Sequence, residues 1–200
     1  MTKDFGFTPA VSIGSTVFVD FNNNGIQDPN PVEVGIPGVV MELYDAGPDQ
    51  LVGGGDDVLI ATDVTDSNGD YFFGGLYEGK YYVQISAAQF GAGMSLAGLP
   101  LSSVDTDVND NQEDFDDNGA QAGGQGATVT SPVIMLMAGA EPTGAQEDAQ
   151  GGTQDDADDN NGDMTVDFGF VPIQFDLALF KTLAAGEDAT VEPADTVTFT

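Results

Sequence analysis

Ile13-Gly-Ser-Thr-Val-Phe-Val-Asp20 alternates apolar with small or polar residues, and this period of two, repeated in short runs along the chain, restricts the fold most. A two-residue period sends successive side chains to opposite faces of a strand, so each run must bury one face against a second layer. Residues 39–44 (VVMELY) and 58–64 (VLIATDV) follow the same pattern, bounded by Gly, Pro, Asn or Asp. Asp66-Ser-Asn-Gly69 reads as a turn; residues 71–73, Gly74-Gly75-Leu76 and 79–85 then read together as a hairpin. Helical spacing is not sustained anywhere. Residues 87–101 are the ambiguous stretch, and Gly91, Gly93, Gly98 and Pro100 favour a loop there with one turn of helix. The expectation is an all-β chain, a two-sheet sandwich.

At 200 residues, with 40% apolar positions and 13 Phe beside 5 Tyr, the chain can fill a core without covalent staples. Asp and Glu total 34 against 3 Lys and no Arg, a net charge of −31. Such a surface repels phosphate backbones, so cations rather than nucleic acid are the expected partners. The absence of Cys and His removes thiol catalysis, Ser-His-Asp triads, zinc sites built on sulfur or imidazole, and disulfides. A carboxylate pair of the glycosidase kind is the chemistry left, and no pair stands out among so many acids. Asp-Phe-Gly at 4–6 and 167–169 lacks the other kinase motifs and reads as strand, so no enzyme is expected. The longest apolar run, residues 133–140 (VIMLMAGA), falls far short of the roughly 20 residues that span a bilayer, so no membrane insertion is expected.

Lys3-Asp-Phe-Gly-Phe-Thr-Pro9 returns as Val166-Asp-Phe-Gly-Phe-Val-Pro172. Two copies suggest a module over 11–172, preceded at 1–10 by the tail of an earlier one. The start lacks the basic and apolar regions of a secretory signal, so the chain is expected to be intracellular or a piece of a longer exported protein; the repeat favours the piece. Residues 173–200 change in character, with Phe175-Asp-Leu-Ala-Leu-Phe-Lys-Thr-Leu183 and Asp195-Thr-Val-Thr-Phe-Thr200 reading as the first strands of a following domain.

Asp20-Phe-Asn-Asn-Asn-Gly-Ile-Gln-Asp28 has the spacing of a calcium loop of the EF-hand kind. That loop needs oxygen ligands at positions 1, 3 and 5, Gly at 6, a carbonyl at 7, a ligand at 9 and a carboxylate at 12. Asp20, Asn22, Asn24, Gly25, the carbonyl of Ile26 and Asp28 meet it. Position 12 is Pro31, and Glu33 is the nearest carboxylate beyond, in reach if 29–31 bulge outward. The alternative is an Asn-rich turn without metal. Carboxylates at both ends of the loop favour the cation, since they repel one another without one. Two long acidic segments, 105–126 and 139–163, flank the apolar run 127–138. Asp105, Asp107, Asp110, Asp116 and Asn118 form one oxygen set, and Asp156, Asp158, Asn160 and Asp163 another; solvated acidic loops are the alternative. All these ligands are oxygen, which suits Ca2+ or another hard cation, in a cluster of roughly two to four ions.

These residues carry a resemblance. The stretches 13–28, Glu33-Val-Gly-Ile36 and 65–83, with the closing Thr165-Val-Asp-Phe-Gly-Phe170, resemble the calcium-binding B-type repeat of serine-aspartate-repeat bacterial surface proteins, a collagen-adhesin B-like domain. The resemblance covers 11–172. It implies an immunoglobulin-like or prealbumin-like β-sandwich with long acidic calcium-binding loops, in which Glu33 takes the final ligand role. It further implies an extracellular, cell-surface location and a role as stalk, spacer or adhesin module. Residues 175–200 resemble the opening of another bacterial surface repeat. Some relatives of this repeat carry a Lys-Asn isopeptide bond; Lys3, Lys80 and Lys181 all lie outside the module's first strand, so none is expected here.

Expected partners are calcium and neighbouring repeats or copies of the chain, joined in a filament by β-strand addition through 4–8 or 175–200. The competing reading is a calcium-dependent ligand-binding module for carbohydrate or protein adhesion, using Tyr77, Tyr81 or Phe90.

Overall fold

The computed structural model describes residues 10–30, 32–103, 115–143 and 160–173. In chain order its strands are β1 Val11–Val19, β2 Val40–Asp45, β3 Val58–Val64, β4 Asp70–Leu76, β5 Gly79–Ile85, β6 Leu101–Ser102, β7 Val129–Thr130, β8 Ile134–Leu136, β9 Gly162–Asp163 and β10 Phe168–Val171. One 3-10 turn, Ala87–Phe90, interrupts them. The first sheet runs β4-β1-β10-β6, with β9 also on β1; the second runs β3-β2-β5-β7, with β8 also on β5. The chain is all-β, a two-sheet sandwich, as its alternation predicts.

β1 is the central strand of the first sheet. It pairs antiparallel with β4 on one side, and on the other runs parallel to β9 and to β10, where Val17, Phe18 and Val19 face Phe168, Gly169 and Phe170. The phrase Val166-Asp-Phe-Gly-Phe170 thus lies beside β1. Its earlier copy at 3–9 lies outside the described residues, as does 174–200.

Val11, Ile13, Val17, Met41, Leu43, Val83, Ile85, Phe168 and Phe170 are buried between the sheets with Tyr71 and Leu136. Complete burial of each such side chain contributes on the order of 1.5–3 kcal/mol. Tyr71 stands across the core from Phe168, ring centroids 6.3 Å apart, and its hydroxyl donates to the Val166 carbonyl at 2.5 Å, so its polar end is satisfied. Burial, with Asp167 and Asp163 nearby, raises the Tyr71 hydroxyl well above its usual range.

The expected hairpin of 71–85 is corrected by the structure. β4 pairs with β1 and β5 pairs with β2 and β8, so the two strands belong to opposite sheets. The physical reason lies at Gly74-Gly75. Gly75 has φ +74°, which breaks the alternation, buries Leu76 and sends the chain across the edge of the sandwich. Similarly, the apolar run 127–138 makes two short strands on the two ends of β5, divided at Pro132. Ser131 bridges the gap: its amide donates to the Val83 carbonyl and its Oγ accepts from the Val83 amide, each at 2.9 Å.

Candidate functional site: an acidic loop cluster

β1 ends at Val19 and delivers Asp20, fully buried, to the head of the 20–28 loop. The Asp20 amide donates to the Phe170 carbonyl at 2.9 Å, fixing the loop to the end of β10. Its carboxylate gathers the backbone behind it: Oδ1 accepts from the amides of Asn22 at 3.1 Å and Asn23 at 2.5 Å, and Oδ2 from Gly25 at 2.9 Å. Curling the chain this tightly requires left-handed conformations at Asn23 (φ 57°) and Gly25 (φ 79°), residues that tolerate them. The side-chain amides of Asn22 and Asn24 both donate to Asp28 Oδ2, at 2.7 and 2.9 Å.

Glu33 closes the loop from outside its expected register. Its Oε1 accepts from the Phe21 amide at 2.6 Å and its Oε2 from the Asp28 amide at 2.9 Å, so one carboxylate spans the entry and exit of the loop. The Glu33 amide donates to the Asp28 carbonyl at 2.9 Å. Gly35 holds the segment down: a Cβ there would lie 1.5 Å from the Asn68 carbonyl oxygen, so only glycine allows 33–36 to lie on the 66–69 turn. Glu33 is 4% exposed and Asp20 0%, and both are held by N–H donors. Lys80 is the only basic residue in the described segments, and its ammonium bonds to Gln50 on the 46–57 loop.

A second acidic segment docks on the first. Gln27 donates its amide to the Phe115 carbonyl and Asp117 donates to the Gly25 carbonyl, both at 2.8 Å, and Ile26 bridges Asp116. The structure therefore brings Asp116 and Asp117 against the 20–28 loop, while Asn118 is bonded to Asp167. Asn118 Oδ1 accepts from the Asp167 amide at 2.8 Å. Asp163 is buried at the far end of β1, its Oδ1 accepting from the Thr165 hydroxyl at 2.7 Å, so the 160–163 set stands apart from the Asp20 loop. Asn160 sits on the surface against Gly139. Asp105, Asp107, Asp110, Asp156 and Asp158 lie outside the described residues.

Two buried acids escaped the sequence reading. Asp117 Oδ1 accepts from the amides of Gly119 at 2.8 Å and Gly169 at 3.0 Å. Asp167 Oδ1 accepts from the Ser15 hydroxyl at 2.7 Å and the Thr16 amide at 3.0 Å, and its Oδ2 from the Phe115 amide at 3.0 Å. Asp167 sits within a strand-like phrase, where alternation assigns it to a solvated face; its return, as Asp4 before Phe-Gly-Phe, in the repeated phrase is the available signal. The long β2–β3 loop adds Asp49, Asp56 and Asp57, whose carboxylates converge within 4.8 Å. Asp57 Oδ2 accepts from Gly53 and from the Tyr82 hydroxyl, while its Oδ1 is buried with no hydrogen-bond partner. Burial, then the bond to Asp57, raises Tyr82 well above its usual range.

Of the aromatics considered for ligand contact, Tyr77 is 78% exposed. Tyr81 is buried, its hydroxyl donating to the Tyr77 carbonyl at 2.9 Å, and Phe90 packs edge-on against Phe170 at 5.8 Å.

A mixed sandwich in which β1 and β10, the first and last strands among the described residues, run side by side, with oxygen-rich loops gathered at the end of both, defines a class of β-sandwich module carrying acidic loops. The chain belongs to the SdrD B-like domain family, whose model matches residues 11–133. It is 40% identical over 91 residues to serine-aspartate repeat-containing protein F of Staphylococcus epidermidis, covering 44% of this chain and 5% of that protein. It is 34% identical over 116 residues to serine-aspartate repeat-containing protein C of Staphylococcus aureus (strain Newman), covering 57% of this chain and 11% of that protein. Colossin-B of Dictyostelium discoideum is 35% identical over 83 residues, 42% of this chain and 2% of that protein. The chain thus spans a small fraction of the length of the relatives it matches.

Proposed function

We propose that this chain contains a non-enzymatic structural module of an exported bacterial surface protein or extracellular filament, stiffened by calcium and acting as a stalk or spacer. The supporting observation is the pair Asp20 and Glu33, two carboxylates buried at one loop and held by N–H donors. Buried charges are ordinarily paired or bound to a metal. The residues that would hold calcium are Asp20, Asn22, Asn24, the Ile26 carbonyl, Asp28 and Glu33, with Asp116 docked alongside. The donor set fits: it is all oxygen and matches a hard cation. The orphaned Oδ1 of Asp57, beside Asp49 and Asp56, offers oxygen chemistry of the same kind. When bound, calcium supplies positive charge against a chain of net charge −31 and fixes the loops relative to the sandwich.

In this reading the module spans 11–172, a preceding repeat ends at 1–10, and a following repeat begins at 173–200. Family membership and the serine-aspartate-repeat relatives support the cell-surface setting, with neighbouring repeats as partners. Association of copies by strand addition extends it to a filament. The ligand-binding reading rests on Tyr77, the one exposed ring of the three. Counting bound calcium by native mass spectrometry tests the proposal. Roughly two to four ions per chain are expected, and a chain that takes up none sinks it.

A further inference from the structure

β3 ends the second sheet, and among the described residues no strand pairs with its outer side. Proteins ordinarily blunt such edges with Lys, Pro, charge or a bulge, because unpaired backbone groups recruit other strands. β3, Val-Leu-Ile-Ala-Thr-Asp-Val, has a bulge at Ile60 but neither Lys nor Pro, and Val58, Leu59, Ile60 and Val64 are 45–56% exposed. Its one charge, Asp63, turns back across the sandwich, where Oδ2 accepts from the Phe72 amide on β4 at 2.9 Å. The edge of the first sheet is thereby capped at this point, and the edge of the second is left as an apolar strand.

The partner follows from charge. A cationic protein would be drawn to the acidic loops, whereas copies of a chain with net charge −31 repel over most of their surface. β3, with one acid in seven residues already engaged, is where two copies can approach. The strand is also complementary to itself. An antiparallel register centred on Ala61 sets Val58 opposite Val64, Leu59 opposite Asp63 and Ile60 opposite Thr62, so no two acids face each other within β3; just beyond its ends Asp56 comes opposite Asp66, a repulsion that salt must screen. We propose that the β3 edges of two copies pair in this way, joining their second sheets into one continuous sheet across a two-fold axis. This goes beyond the spacer reading and does not depend on calcium.

The test is sedimentation velocity of the full chain over a range of concentration and salt, with two variants. The intact chain is expected to form a dimer whose fraction grows with concentration and with added salt, as repulsion is screened. Ile60→Lys, at an exposed side chain, is expected to weaken association by about tenfold or more, with unchanged melting showing that the fold is kept. Ala61→Cys, in a chain without other cysteines, is expected to yield a disulfide-linked dimer on mild oxidation, because facing antiparallel residues lie within disulfide reach. Tyr77→Cys, exposed elsewhere, serves as the control. A monomer at every soluble concentration overturns the proposal, as does cross-linking of Tyr77→Cys as fast as Ala61→Cys. Association that survives Ile60→Lys but is lost in Leu179→Pro assigns the contact to the 175–183 segment and also overturns it. In each case the calcium count stands as a separate result.

Discussion

Glu33→Gln separates a calcium ligand from a loop staple. The carboxylate accepts the amides of Phe21 and Asp28 on its two oxygens. Glutamine keeps one acceptor and turns its NH2 toward the other amide, leaving a buried donor facing a donor, at a cost on the order of 1–3 kcal/mol. Without calcium, part of this is offset because a negative charge leaves the neighbourhood of Asp20. With calcium the balance changes. A site in the range of extracellular modules adds about 0.4–1.4 kcal/mol at millimolar calcium, and the variant forfeits that increment. For a chain of this size the increment is about 1 to 5 °C in Tm. The assay is calorimetric melting of both proteins in calcium and in chelator at matched ionic strength. The variant is expected to lose more stability in calcium than in chelator. An identical loss in both conditions would refute the ligand role and leave Glu33 as a hydrogen-bonding staple.

Other expectations follow from the same geometry. Gly35→Ala drives a Cβ into the Asn68 carbonyl; it should destabilise by about 1–3 kcal/mol or more and lower calcium affinity, read by chemical denaturation and calcium titration. Phe168→Ala, at a fully buried ring against Tyr71, should cost about 3–5 kcal/mol in urea unfolding. Glu141 is raised to about 7 by burial and by nearby Asp163, against the Met137 amide that favours its charge. A raised acid holds its proton more tightly when folded, so its contribution is complete below about pH 4.5 and is lost as pH rises through about 7. In chelator the intact chain should therefore lose stability over that window, and Glu141→Gln should flatten the decline in melts taken across pH.

The sandwich was legible because its strands alternate cleanly between turn residues: the bounds of β3 at 58 and 64 can be read directly from VLIATDV between Asp57 and Thr65. The hairpin over 71–85 was misread because sequence adjacency cannot tell a turn within one sheet from a crossing between two; Gly74-Gly75 marks the crossing only once Leu76 is seen inside. At the site, the spacing set Asp20 to Asp28 on one loop, and the structure places the carboxylate of Glu33, displaced in sequence, against both ends of that loop. Asp117 and Asp167 were missed because their burial comes from docking of 115–119 on the sheet, a contact distant in sequence. Asp49, Asp56 and Asp57 converge only through the fold of the β2–β3 loop.

Calcium stiffening is measured most directly by the thermal unfolding of the intact chain by calorimetry in millimolar calcium, in magnesium and in chelator, all at matched ionic strength. A calcium-specific rise in Tm is expected, well beyond the few degrees that one weak site supplies, because several ions tie down the acidic loops together. Equal melting in all three would contradict it, and the 20–28 loop would then be an asparagine-rich turn on a solvated acidic surface.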